Sequence, residues 1–153
     1  MKIAIFHDYF GAVGGGERTV INLAKVLGAD IITTDTDALG TLNPSVPIRS
    51  IGKTIKFPPF KQISATRHFA HIDFRDEYDF FIFTGNWTHY AALTHHPNLW
   101  YCFTPVRAFY DLYTTFLSRQ TFMTRQAFRA WVSLHRLSDQ RSVKNVDTIV
   151  ALS

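Results

Sequence analysis

Apolar residues fall in short unbroken runs through the first two thirds of the chain and at helical spacing in the last third. Ile3, Ala4, Ile5 and Phe6 form the first run, as a strand covered on both faces requires. His7 and Asp8 end it. Gly11, Gly14, Gly15 and Gly16 follow, and from Glu17 to Leu27 the spacing is that of a helix, closed by Gly28. Residues 29–35 read as a second strand and residues 46–51, among Pro44, Pro47 and Gly52, as a third. Pro58 and Pro59 open a stretch, residues 60–74, whose apolar positions Ile63, Phe69, Ala70 and Phe74 fit a helix. Residues 78–84 make another buried-strand run ending at Gly85. A short helix is expected around residues 90–93, then strands over residues 98–104 and 147–152. Strands alternating with helices predict an α/β domain with a parallel sheet covered on both faces.

In residues 107–143 the pattern changes. Phe109, Leu112, Tyr113, Phe116 and Leu117 share one helical face, and Met123, Ala127, Ala130, Trp131, Leu134 and Leu137 continue it. The same stretch and the residue after it hold Arg107, Arg119, Arg125, Arg129, Arg136, Arg141 and Lys144 against only Asp111 and Asp139. Two readings stand side by side: faces that cover the sheet, and a basic, aromatic-rich helix that lies on an anionic membrane. The whole chain carries a net charge of +4 and a pI near 9.4, which favours an anionic partner. No RNA-module signature accompanies the charge, so no nucleic acid is expected.

With 153 residues and 46% hydrophobic content, the chain suits one domain with a real core. The single cysteine, Cys102, rules out an internal disulfide and suits a reducing compartment. The start of the chain lacks the three regions of a signal peptide, and no apolar run reaches the ~18 residues of a membrane span. A soluble, cytoplasmic chain is expected, with peripheral contact on the inner face of a membrane under the second reading of the basic segment. No metal is expected: His68 with His71, and His95 with His96, have no third ligand at a recognisable spacing. No nucleophile motif of the G-x-S-x-G kind is present.

In parallel sheets ligands bind beyond the carboxyl ends of the strands. Here those ends carry His7, Asp8 and Tyr9, then Gly85, Asn86 and Trp87, then Thr104 to Arg107, which are expected to converge on one cleft. The glycine cluster adds a turn that can take positive φ and let a ligand approach the backbone, with a helix N-terminus beside it suited to phosphate or another anion. It matches neither the P-loop nor the dinucleotide spacing. A tight strand-to-helix turn explains the same glycines, and a first-turn carboxylate on the helix dipole explains Glu17. Asp35, Thr36 and Asp37 could serve a ligand hydroxyl or a turn.

These residues carry a resemblance. Gly14-Gly15-Gly16-Glu17 after the first strand is similar to the opening of GT-B glycosyltransferases of family four, the glycosyl transferases group 1 type. Tyr101-Cys102-Phe103-Thr104-Pro105-Val106-Arg107, followed by Asp111-Leu112-Tyr113, resembles the Y-C-H-T-P-x-R…D-L-Y pattern of members that build polysaccharide or lipid-linked glycans. Residues 149–153 resemble the strand leading to such enzymes' second domain. The resemblance implies that residues 1–153 are a Rossmann-like N-terminal domain on the acceptor side of a GT-B fold, with the C-terminal donor-binding domain absent. It implies transfer of a sugar from a nucleotide-sugar donor to a glycan or lipid-linked acceptor, with retention, no obligatory metal and no further cofactor. Gly14, Gly15, Gly16 and Glu17 would line the diphosphate side, and Asp8, Tyr9, Asn86, Trp87, Thr104 and Arg107 the acceptor side. The family's E-x(7)-E donor pair is missing, since Glu17 and Glu77 are the only glutamates. Phe103 stands where the pattern has histidine, and phenylalanine can neither donate a hydrogen bond nor titrate. No catalytic residue is therefore assigned. The competing class is a non-catalytic Rossmann-like module that binds an anionic membrane surface or a protein partner.

Overall fold

The computed structural model describes residues 1–57 and 59–152; Pro58, just before the second expected helix, and Ser153, just after the last expected strand, lie outside the described residues. Six strands form one sheet: β1 (Ile3–His7), β2 (Asp30–Thr33), β3 (Ile48–Ser50), β4 (Phe80–Thr84), β5 (Asn98–Cys102) and β6 (Thr148–Ala151). All neighbours pair in parallel, in the order β3-β2-β1-β4-β5-β6. This is the Rossmann-like order, with its switch point between β1 and β4. The register sets Ile5 between Ile31 and Ile82, and His7 between Thr33 and Thr84.

Alternation along β1 feeds two cores. Ile3 and Ile5 pack with Val20 and Ala24 of α1 (Gly15–Leu27), while Ala4 and Phe6 pack with Phe69, Phe81, Phe83 and Trp87 on the other face. That second face is covered by α3 (Phe60–His71), α5 (Phe122–Val143) and a 3-10 turn at Thr88–Ala91. Gly28 ends α1 at φ 61°, donating its N–H to the Ala24 carbonyl, which is the cap its sequence position predicts.

Several boundaries differ from expectation. β2 stops at Thr33, because the Thr34 hydroxyl donates to the Asp8 carbonyl and Asp35 accepts from the Thr54 N–H at 3.1 Å and from its hydroxyl. Those bonds draw residues 34 and 35 out of the ladder, and turn chemistry accounts for Asp35. A one-turn helix α2 (Leu39–Leu42) escapes periodicity because four residues cannot display it. The basic segment divides into α4 (Tyr113–Ser118) and α5, which restarts where Thr121 caps it by accepting from the Thr124 N–H. Phe109 is fully buried, but Met123, Ala127, Ala130, Leu134 and Leu137 face outward; Trp131 alone of that set turns partly inward, beside Phe128 and Val132. Among the described residues no helix is long and apolar enough to cross a membrane.

Candidate functional site at the switch point

The carboxyl ends of β1 and β4 meet around Asp8. Its side chain accepts the Asn86 N–H at 2.6 Å and the Trp87 N–H at 2.8 Å, so one carboxylate bridges the two strand ends. Gly85 makes this approach possible. It sits at φ 94°, and a Cβ there would stand 2.5 Å from Asp8 Oδ2 and 2.6 Å from its carboxyl carbon. The Gly85 carbonyl in turn accepts the Trp100 indole N–H at 3.0 Å. Burial pushes the Asp8 pKa up to about 6, with the backbone N–H bonds of Asn86 and Trp87 and the nearby His89 holding it back.

That shift gives a testable pH dependence. Folded Asp8 keeps its proton to about pH 6, whereas the ordinary value is 3.8, so its contribution to stability grows as pH falls from 6 towards 4 and is lost as pH rises through 6. Asp8→Asn removes this dependence. Its deficit against the natural protein is expected to grow by up to about 3 kcal/mol between neutral pH and pH ~4, read from urea midpoints at both.

His7, beside Asp8, was expected at this strand end but was given no binding role by the sequence. Thr84 Oγ1 donates to the Phe6 carbonyl at 3.0 Å, so it must accept from His7 Nδ1, also at 3.0 Å. The imidazole therefore carries its proton on Nδ1, and burial lowers its pKa to about 4, keeping it neutral. His7 Nε2 and Asn86 Oδ1 are left as buried acceptors without a donor among the described residues. Only the β1–β4 register reveals them.

The glycine turn lies at the same carboxyl edge, on the α1 side. It does not use positive φ: among the described glycines only Gly28, Gly52 and Gly85 do, and Gly14 is extended at φ −122°. α1 begins at Gly15 rather than near Glu17, which makes Glu17 a first-turn residue whose carboxylate folds back against Gly14. A Cβ on Gly15 or Gly16 would meet nothing within 4 Å. The protein's own packing therefore does not demand glycine at either position.

The remaining candidates are dispersed around this centre. Tyr9 is half-buried, with the Lys61 ammonium 3.6 Å above its ring. Trp87 is 4% exposed, and its indole packs edge-on against Phe109 and His135, so its ring belongs to the core while its N–H holds Asp8. Thr104 is exposed. Arg107, also exposed, pairs with Asp111 at 2.9 Å, four residues on. Among the described residues no hydrogen bond joins Thr104 or Arg107 to the Asp8 cluster. Phe103 is half-buried and packs edge-on against Tyr101. The paired histidines are engaged elsewhere: His71 Nδ1 with the Arg67 carbonyl, and buried His95 with the Phe74 N–H through Nε2. Among the described residues no group of three or more His, Cys, Asp or Glu is placed to hold a metal ion.

Compared with protein-family models, curated proteins and solved structures, the chain matches none of them.

Proposed function

We propose that the chain is the N-terminal, acceptor-side domain of a retaining glycosyltransferase, working in the cytoplasm and moving a sugar from a nucleotide-sugar donor to a glycan or lipid-linked acceptor. The observation that carries this reading is the open space above Gly15 and Gly16 at the mouth of the switch point. Glycine inside the first turn of a helix costs stability relative to alanine, and here no neighbouring side chain requires it. A diphosphate lying on the first-turn N–H groups of α1 would require it, since those donors have no partner within the helix and the helix dipole favours an anion. His7 Nε2 and Asn86 Oδ1 add two acceptors suited to hydroxyl groups.

On this reading the domain contributes position and charge stabilisation rather than a nucleophile. The donor-binding half comes from outside residues 1–153, on the same polypeptide or as a partner chain. Gly15→Ala is expected to leave the stability of the domain unchanged, or raise it by at most ~1 kcal/mol. Gly15→Val, assayed together with the donor-side domain, is expected to lower transferase turnover roughly 100-fold, the scale of losing aligned backbone donors. Unchanged turnover would remove the diphosphate role of the loop.

A second reading, the non-catalytic module, is favoured by Phe103 and by Phe122, which is 78% exposed in the arginine-rich segment. It places the binding surface on the helices rather than at the sheet edge.

A further inference from the structure

We infer that the surface where the chain passes from β3 into α3 is a contact site for an anionic lipid bilayer, with Ile55, Phe57 and Phe60 entering the headgroup boundary and Lys53, Lys56 and Lys61 lying among the headgroups. The two kinds of residue interleave along the chain: Lys53, Ile55, Lys56, Phe57, Phe60, Lys61. Ile55, Phe57 and Phe60 are exposed by 56%, 70% and 52%, so the fold makes little use of them. The Lys61 N–H donates to the Phe57 carbonyl at 3.0 Å, a helical bond reaching back from α3. Residues three apart on such a turn share a side, as Phe57 and Phe60 do. Exposed rings among lysines suit the boundary of a bilayer, where the rings bury and the lysine stems reach back to the phosphates.

These side chains stand on a fixed base. Thr54, between Lys53 and Ile55, is buried, its N–H donating to Asp35 at 3.1 Å and its hydroxyl to the same carboxylate. His68 of α3 donates from Nε2 to the Lys53 carbonyl at 3.2 Å. With Thr54 tied inward, its neighbours Lys53 and Ile55 stand in solvent. The connection is already ordered in the free chain, so binding a surface immobilises little more.

Charge selects the occupant. Residues 38–72 contain no aspartate or glutamate, while they hold Arg49, Lys53, Lys56, Lys61 and Arg67. The three lysines gather about one acid, Asp37. Lys56 pairs with it at 3.1 Å, and the hydrogen bond and charge of Lys56, followed by the charges of Lys53 and Lys61, hold its carboxyl below the ordinary range. Three cations against one acid leave the cluster net positive, and water screens the exposed pair of Lys56 and Asp37. Protein interfaces favour arginine and are depleted in lysine, so a border of lysines fits lipid phosphates better than a protein partner. A second copy would set lysine against lysine. The sequence pattern pointed to residues 107–143 for such a contact; the interleaved rings and lysines lie here instead. Lys61 also fixes where the bilayer lies: its ammonium sits 3.6 Å from the centre of the Tyr9 ring, so the contact borders the carboxyl edge of the sheet. The inference does not rest on the transferase reading, because binding a bilayer requires neither a donor nor a second domain.

The test is co-sedimentation of the 153-residue chain with vesicles of phosphatidylcholine alone and of phosphatidylcholine with about one third phosphatidylglycerol. Binding to the anionic vesicles that weakens with added salt, and little binding to the neutral ones, is expected. The double variant Phe57→Ser, Phe60→Ser, at exposed positions and with melting unchanged, should lower partitioning onto anionic vesicles roughly 30-fold. Lys53→Gln with Lys56→Gln should lower it roughly 10-fold. Phe57→Trp reports the position directly: its emission should shift to the blue on anionic vesicles and be quenched by brominated lipid, against the natural chain, whose Trp87 and Trp100 are buried. Failure to bind anionic vesicles, indifference to either double variant, or unchanged emission from Phe57→Trp would overturn the inference. Binding lost in the triple variant Arg119→Glu, Arg125→Glu, Arg129→Glu but kept in the phenylalanine double variant would move the contact to the arginine-rich segment. A dimer that the phenylalanine double variant dissolves, with no vesicle binding, would assign the surface to a second copy instead.

Discussion

Replacing Gly85 with alanine is expected to cost about 3 to 5 kcal/mol, enough to unfold a large fraction of a domain of ordinary stability. Two costs add. The backbone at φ 94° is strained for any residue with a Cβ, and that Cβ would lie 2.5 Å from an Asp8 carboxylate oxygen. Asp8 cannot swing aside cheaply, because its oxygens hold the Asn86 and Trp87 N–H groups in a buried setting. Urea denaturation read by circular dichroism measures the loss. In an Asp8→Ser background the overlap disappears and only the backbone cost remains, so the two substitutions should be strongly non-additive. Additive effects would mean that the carboxylate does not constrain Gly85.

Phe6→Ala is expected to be of similar size, about 3 to 5 kcal/mol. Phe6 is fully buried at the centre of the larger core, with Phe69, Phe74, Phe81, Phe83 and His95 all ringed around it at centroid distances of 5.2 to 6.1 Å. Its neighbours come from β4, α3 and the loops after α3 and the 3-10 turn, elements that cannot collapse together without breaking strand register. The cavity therefore persists and carries its full cost. Phe6→Leu should lose much less, because it keeps most of the volume. Equal losses for leucine and alanine would indicate that the aromatic contacts themselves, rather than filled volume, hold this core.

How legible this was in the sequence differs by element. β1 could be read because both of its faces are buried, which writes an unbroken apolar run, and the alternation of strand and helix foretold the parallel sheet. Strand ends were less legible. Thr34 and Asp35 look like strand residues, but hydrogen bonds to Asp8 and Thr54 pull them out of the ladder. Periodicity in α5 identified an apolar stripe without its direction: Leu134 and Leu137 face solvent, while His135 and Ser142 turn inward. Glycine was legible as punctuation but not as conformation. The conspicuous cluster at Gly14, Gly15 and Gly16 avoids positive φ, whereas Gly85, read only as a strand end, depends on it. The candidate site was partly visible, since Asp8, Asn86 and Trp87 do meet at the switch point. The place of His7 at that strand end was legible too, but its free acceptor was not, because it follows from a proton fixed by Thr84, 77 residues away.

The central claim is that this domain serves sugar transfer, and Phe103 is where the claim is most exposed. On the proposed reading, the most direct measurement is nucleotide-sugar turnover by this domain supplied with a donor-binding domain, comparing Phe103 with Phe103→His after both are shown to fold. Turnover of a donor by the Phe103 protein is the predicted result, and activity confined to the histidine variant would describe a transferase fold disabled at this position. Absence of turnover from both, across a broad panel of donors and acceptors, would contradict the account and leave the helix surface as the functional face.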